Sequence, residues 1–301
     1  MSSLSDFKCD VCVIGKGLLG SAAARHLSEM GVSVLLLGPD EPKVRSDHSG
    51  VFGSHYDSGR ITRIIDTDLY CAQIAEASIS RYAELEKFSG IDFFEPVGHL
   101  AVSNLDDYIS KIVGTARHLG VDAKSLAASE LASRFSYFSF PSGVSGVHEH
   151  STGGHINPRN LIKAQIEMLM KAENEVVNET GSAIERHDGF FRVVTQNGKA
   201  IKANKVLLAS GVFSERLVDS REKLDLEICE STVVLAELGK EDAERLRGMP
   251  SVIFRQEAEY EKGVYLLPPI RYPDGKTYIK IGHSGSCLLY TSDAADDMQC
   301  V

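Results

Sequence analysis

The chain has 301 residues, a formal net charge of −10, 43% hydrophobic residues and 25% charged ones. That length is enough to bury a substantial core, as two domains or one large α/β domain. The acidic balance argues against nucleic acid or an anionic membrane surface as the main partner, and no apolar run approaches the roughly 18 to 20 residues of a membrane span. The opening residues, MSSLSDFKCD, lack a basic segment followed by an apolar one, so they do not read as a secretory signal. A cytoplasmic location is expected.

The first apolar run, Val11 to Ile14, has the length and β-branched content of a strand. Gly15, Gly17 and Gly20 follow at G-x-G-x-x-G spacing, and Ser21-Ala22-Ala23-Ala24 begins a helical pattern. A second strand-like run, Val32 to Leu37, comes after Gly31. Strand, glycine turn, helix and strand make one βαβ unit of the dinucleotide-binding kind. A pyrophosphate would sit on the N–H groups of Gly17, Leu18, Leu19 and Gly20 at the positive end of the helix dipole. In such folds an acidic residue near the end of the second strand holds the adenosine ribose. The strand ends here in Gly38, so Asp40, about twenty residues beyond Gly20, is the candidate for that contact.

The stretch from Gly38 to Gly59 is loop-like by composition. Arg60 and Arg63 follow, three residues apart with apolar residues between them. A single helix is expected from about Asp68 to Phe88, a strand from Gly98 to Ser103, and a helix from about Leu105 to Leu119. Between Ser136 and Gly154 the composition is that of a loop. His148-Glu149-His150 and His155 match no helical metal-ligand spacing, so no metal site is expected. Asn157-Pro158 starts an amphipathic helix running to about Glu173. Asn197-Gly198 marks a hairpin turn after Phe190. Lys205 to Ala209 is a buried-strand run ending near Gly211, where a cofactor could approach closely, and Ile228 to Ile281 alternates like antiparallel sheet. The six cysteines are scattered, which favours buried, reduced thiols over a disulfide framework or a zinc site.

Five stretches in one order resemble the flavin-dependent amine and amino-acid oxidoreductases related to monomeric sarcosine oxidase and D-amino-acid oxidase. They are the glycine motif, Ser54 to Arg63, Gly153 to Pro158, Lys205 to Ser214, and Tyr278 to His283. The resemblance implies FAD as cofactor and an α/β fold: a Rossmann-type FAD-binding domain interrupted by a substrate domain with a mixed, largely antiparallel sheet. It implies a flavin domain over 1–90 and 148–222 and a substrate domain over 91–147 and 223–286. It places Ser54, Arg60 and Gly211 at the flavin with Gly15, Gly17, Leu18, Leu19, Gly20 and Asp40. Arg63 is expected to meet a substrate carboxylate, for which a planar guanidinium is suited. Lys280 is expected beside the flavin, where a fixed cation favours the reduction of oxygen, and Arg60 would stabilise negative charge on the reduced ring.

The implied reaction is oxidation of a small amine or amino acid to an imine, with oxygen as acceptor and hydrogen peroxide as product. A dehydrogenase passing electrons to a carrier is the alternative, and an inactive fragment a third reading. The family pattern continues well past its lysine strand, whereas residues 287–301 read as a non-native tail. Cys287-Leu-Leu-Tyr-Thr has a chance likeness to the family's flavin-attachment stretch.

Overall fold

Residues 7–14, 34–37, 175–177 and 200–208 form parallel strands; the central one, 34–37, is apolar and buried throughout, whereas 7–14 and 200–208 carry exposed polar residues such as Lys8, Asp10, Lys202 and Lys205. One face packs Val13, Val34 and Leu36 against Ala24 and Leu169 of the flanking helices. The other packs Cys12, Ile14, Leu35 and Leu37 against Val193, Ile201 and Ala203. Leu35, Leu36 and Leu37 are each under 2% exposed, a burial worth on the order of 2 kcal/mol apiece.

This core belongs to the first of two units in the computed structural model, which describes residues 7–44, 46–218, 224, 232–256 and 263–284. Unit one takes in 1–57, 84–93 and 158–228; unit two takes in 58–83, 94–157 and 229–301. In unit one the six-stranded sheet has the order 181–187, 190–195, 200–208, 7–14, 34–37, 175–177. The strand 190–195 pairs antiparallel with both 181–187 and 200–208, the second pairing around a turn that contains Gly198 at φ +80°. The first helix, Leu18–Glu29, starts three residues before the expected Ser21, directly after Gly17. The helix Pro158–Lys171 packs beside it and opens with proline at a position where the missing N–H has no helical partner to lose.

Unit two is built on a seven-stranded sheet in the order 233–237, 277–284, 263–271, 251–255, 99–103, 145–149, 123–126. Only 251–255 and 99–103 run parallel, so the sheet is mixed and largely antiparallel as the resemblance implied. Pro268 and Pro269 cannot donate to the ladder, and the register shifts where they lie, between Leu267 and Ile270. A smaller antiparallel sheet joins Arg60–Thr62, Gly154–Ile156 and Phe94–Glu95. That pairing joins segments that lie in unit two, 58–83 and 94–157.

Two further expectations are corrected. The single helix over 68–88 is two, Leu69–Ile79 and Tyr82–Ser89. Asp68 caps the first by accepting from the Cys71 N–H at 2.8 Å. Ser78 and Ser80 donate back to the carbonyls of Ile74 and Ala77 near its end, in competition with continued helix. The stretch expected to be a loop holds the strand Ser145–Glu149, which is paired on both sides. Cys9 and Cys12 are buried free thiols, as expected, whereas Cys71 is an exposed one. Burial pushes the Cys9 thiol up to about 11. The stretch around Cys287 and the 287–301 tail lie outside the described residues.

Candidate cofactor and active site

The parallel strands of unit one end together, and the turns beyond their C-terminal ends form a cleft. The N–H groups of Gly15, Gly38 and Ala209 donate to the carbonyls of Leu37, Val177 and Ile14 at 2.8, 3.1 and 2.7 Å. These bonds draw the turns after adjacent strands into one rim, the position at which open α/β sheets bind ligands. Gly15 has φ +117°, and a Cβ there would lie 2.2 Å from the Ala209 carbonyl oxygen. A Cβ on Gly20 would lie 1.7 Å from the Gly15 carbonyl oxygen. No side chain fits at either position, so two of the three motif glycines are required by close approach of backbone to backbone. Gly17 caps the helix without a side-chain bond, and the N–H groups of the first helical turn have no partner within the helix.

The cleft has a volume of about 1080 Å³, and Gly15, Gly17, Leu18, Leu19, Ser54 and Gly211 all line it. Its residues all belong to unit one. The open helix N-terminus, the glycine cradle and this volume fit a dinucleotide. Gly20 lies in the cradle itself, against Gly15. Gly38 and Pro39 form part of the wall, whereas Asp40 is ion-paired with Lys16. Glu41 is held bidentately by Arg159, at 2.6 and 2.7 Å.

Arg60, Arg63 and Lys280 lie in unit two. Arg60 opens the short strand Arg60–Thr62 and is exposed. Lys280 is only 4% exposed. Its Nζ donates to the carbonyl of Gly59, the residue before Arg60, at 3.2 Å, and lies 5.8 Å from the centre of the Tyr265 ring. A buried ammonium needs such partners. Residues 59 and 280, far apart in sequence, are therefore neighbours in the fold. Arg63 is partly buried and pairs through Nη2 with Asp66 at 2.6 Å.

A residue that the sequence did not single out for this role holds the arginine segment. Glu149 is fully buried. Its carboxylate accepts from the N–H groups of Ile64 and Ile65 at 3.0 to 3.1 Å and from the Thr152 hydroxyl at 2.7 Å. Strand alternation turns Glu149 away from His148 and His150, whose rings lie 4.2 Å apart. No group of metal-ligating side chains occurs among the described residues. Burial, and then the positive charge of Arg63, hold the His99 imidazole well below its ordinary range. Its Nδ1 lies 2.9 Å from the Ser251 hydroxyl.

The family described as FAD dependent oxidoreductase matches residues 10–298. A putative sarcosine oxidase from Caenorhabditis elegans is 24% identical over 297 residues, covering 96% of this chain and 73% of that protein. An N-methyl-L-tryptophan oxidase from Yersinia pestis (strain Pestoides F) is 24% identical over 214 residues, covering 69% of this chain and 55% of that protein. The match thus spans about half the length of the bacterial relative. Among solved structures, L-proline dehydrogenase from P. horikoshii superposes with a TM-score of 0.70 at 16% identity, over 94% of this chain and 72% of that one. At that identity the likeness speaks for the fold. With a family match that runs through both units, the chain belongs to the FAD-dependent oxidoreductase family.

Proposed function

We propose that this protein oxidises a small amine or amino acid and passes the electrons to molecular oxygen, giving an imine and hydrogen peroxide. Bound FAD would supply the two-electron acceptor for the carbon beside the amine, and the imine product would be hydrolysed by water. The chain's own residues bind and orient. The glycine turn and the N-terminus of helix Leu18–Glu29 hold the pyrophosphate, with Ser54 and Gly211 on the walls. Arg63 orients the substrate through its carboxylate: Nη2 is on Asp66, and a guanidinium has five donors in a fork that suits a second carboxylate. Arg60 supplies positive charge where negative charge develops. Lys280 supplies a fixed cation that favours the first electron transfer to oxygen.

The observation that carries this reading is Lys280 itself. An ammonium that is 4% exposed and anchored to the carbonyl before Arg60 is costly to keep for stability alone. The test is Lys280→Met, followed in two half-reactions with an N-methyl amino acid. Anaerobic bleaching of the flavin should persist within about tenfold, while reoxidation by air should slow by about a hundredfold or more. Equal effects on both half-reactions, or rapid reoxidation, would remove Lys280 from the oxygen step and favour a dehydrogenase that passes electrons to a carrier.

A further inference from the structure

The two faces of the seven-stranded sheet in unit two differ in kind. On one, Leu100, Val102 and Val252 pack with Phe254 and Leu266 into an apolar cluster. Strand alternation turns their neighbours to the other face. Ile253 lies opposite Tyr265, and Leu267 opposite Lys280. Arg255 lies beside Ser103, and His99 opposite Glu149. Arg255, Tyr265, Lys280 and Glu149 therefore share this second face. The backbone just after Arg63 lies on it too, because Ile64 and Ile65 donate to the Glu149 carboxylate. Ile65 packs there with Ala101 and Ile112, and Tyr108 of the helix Asp106–Leu119 packs against that cluster.

Tyr108 brings two arginines into one setting. Burial pushes its phenol up, and the positive charges of Arg63 and Arg255 oppose that rise. Arg255 also hydrogen-bonds the phenol. Asp66 acts on the same phenol and is paired with Arg63. Arg255 is partly buried, and its Nε–H has no acceptor among the described residues. A charged donor buried without an acceptor is costly, and native structures keep few of them. A guanidinium left short of acceptors is set to take them from a ligand, and its planar fork of donors suits a carboxylate. We propose that Arg255 is a second carboxylate-binding residue of the substrate site. The preferred substrates are then amines that carry two carboxylates, with Arg63 taking one and Arg255 the other. The inference rests on reading Arg63 as the partner of a substrate carboxylate, and it narrows the substrate to the amino dicarboxylic acids.

The test titrates the full, FAD-loaded chain by calorimetry with two pairs of acids of equal length, succinate with butyrate and glutarate with pentanoate. In the wild type at least one dicarboxylate should bind about tenfold more tightly than its monocarboxylate partner. Arg255→Met should erase that preference. Arg255→Gln, which keeps a donor for Tyr108, should erase it too and covers a methionine variant that fails to fold. Arg63→Met should weaken both members of each pair, which ties the binding to this site. A wild type that binds the two members of each pair equally overturns the proposal and leaves the role of Arg63 standing. A preference retained in Arg255→Met or Arg255→Gln overturns it as well. A wild type that binds none of the four acids, while an amine without a carboxylate bleaches its flavin, overturns the reading of Arg63 and this proposal with it.

Discussion

Glu149 shows how a buried charge organises residues far from it in sequence. Its carboxylate takes the N–H groups of Ile64 and Ile65 and the Thr152 hydroxyl, fixing the backbone just after Arg63. Glu149→Gln keeps one acceptor but sets an NH₂ group against a donor. We expect a loss of about 2 kcal/mol in urea unfolding and a rise in KM for a carboxylate-bearing substrate larger than the fall in kcat. An unchanged unfolding midpoint would contradict this role. At Gly20 the reason is steric: a Cβ would lie 1.7 Å from the Gly15 carbonyl oxygen. Gly20→Ala should therefore purify without stoichiometric flavin, read from the visible absorbance; a full flavin complement would show that the turn relaxes at little cost. The motif glycines were legible in the sequence because spacing and flanks coincide. Lys16 and Glu149 were not, because their partners lie 24 and about 85 residues away.

Elements with a strong local pattern were the most legible. The strand Val34–Leu37, the helix Asp106–Leu119 and the helix Pro158–Lys171 fall within a few residues of expectation. Ser145–Glu149 was read as a loop because Gly, Ser and His dominate its neighbourhood. Pairing with 99–103 and 123–126 overrides that composition. The same region carries a pH liability. Burial holds the His148 imidazole, on this strand, at about 4, and likewise that of His155, on Gly154–Ile156, against an ordinary value of 6.5. The unfolded chain therefore binds more protons than the folded one between these values. Stability should be whole above 6.5 and should fall as the pH drops from there through about 4. Thermal melts of the wild type and of His155→Asn should show a shallower acid loss in the variant. Identical slopes would mean that His155 does not contribute.

At the scale of the molecule, the sequence carried two readings of different strength. The βαβ opening comes from local periodicity and glycine spacing, and the parallel pairing of 7–14, 34–37 and 200–208 agrees with it. The pairing of Arg60–Thr62 with Gly154–Ile156 was not legible, because it joins residues nearly a hundred apart. No helix among the described residues is long and apolar enough to cross a membrane. Unit one holds the glycine cradle and unit two the buried Lys280, and the proposed oxidation of an amine assigns a role to each. The most direct test of that account is the release of hydrogen peroxide by the FAD-loaded protein, measured across a panel of primary and N-methyl amino acids in air. The account predicts peroxide equal to the imine formed for at least one carboxylate-bearing amine. Bound flavin that no amine in the panel bleaches, with no peroxide above the amine-free rate, would contradict it.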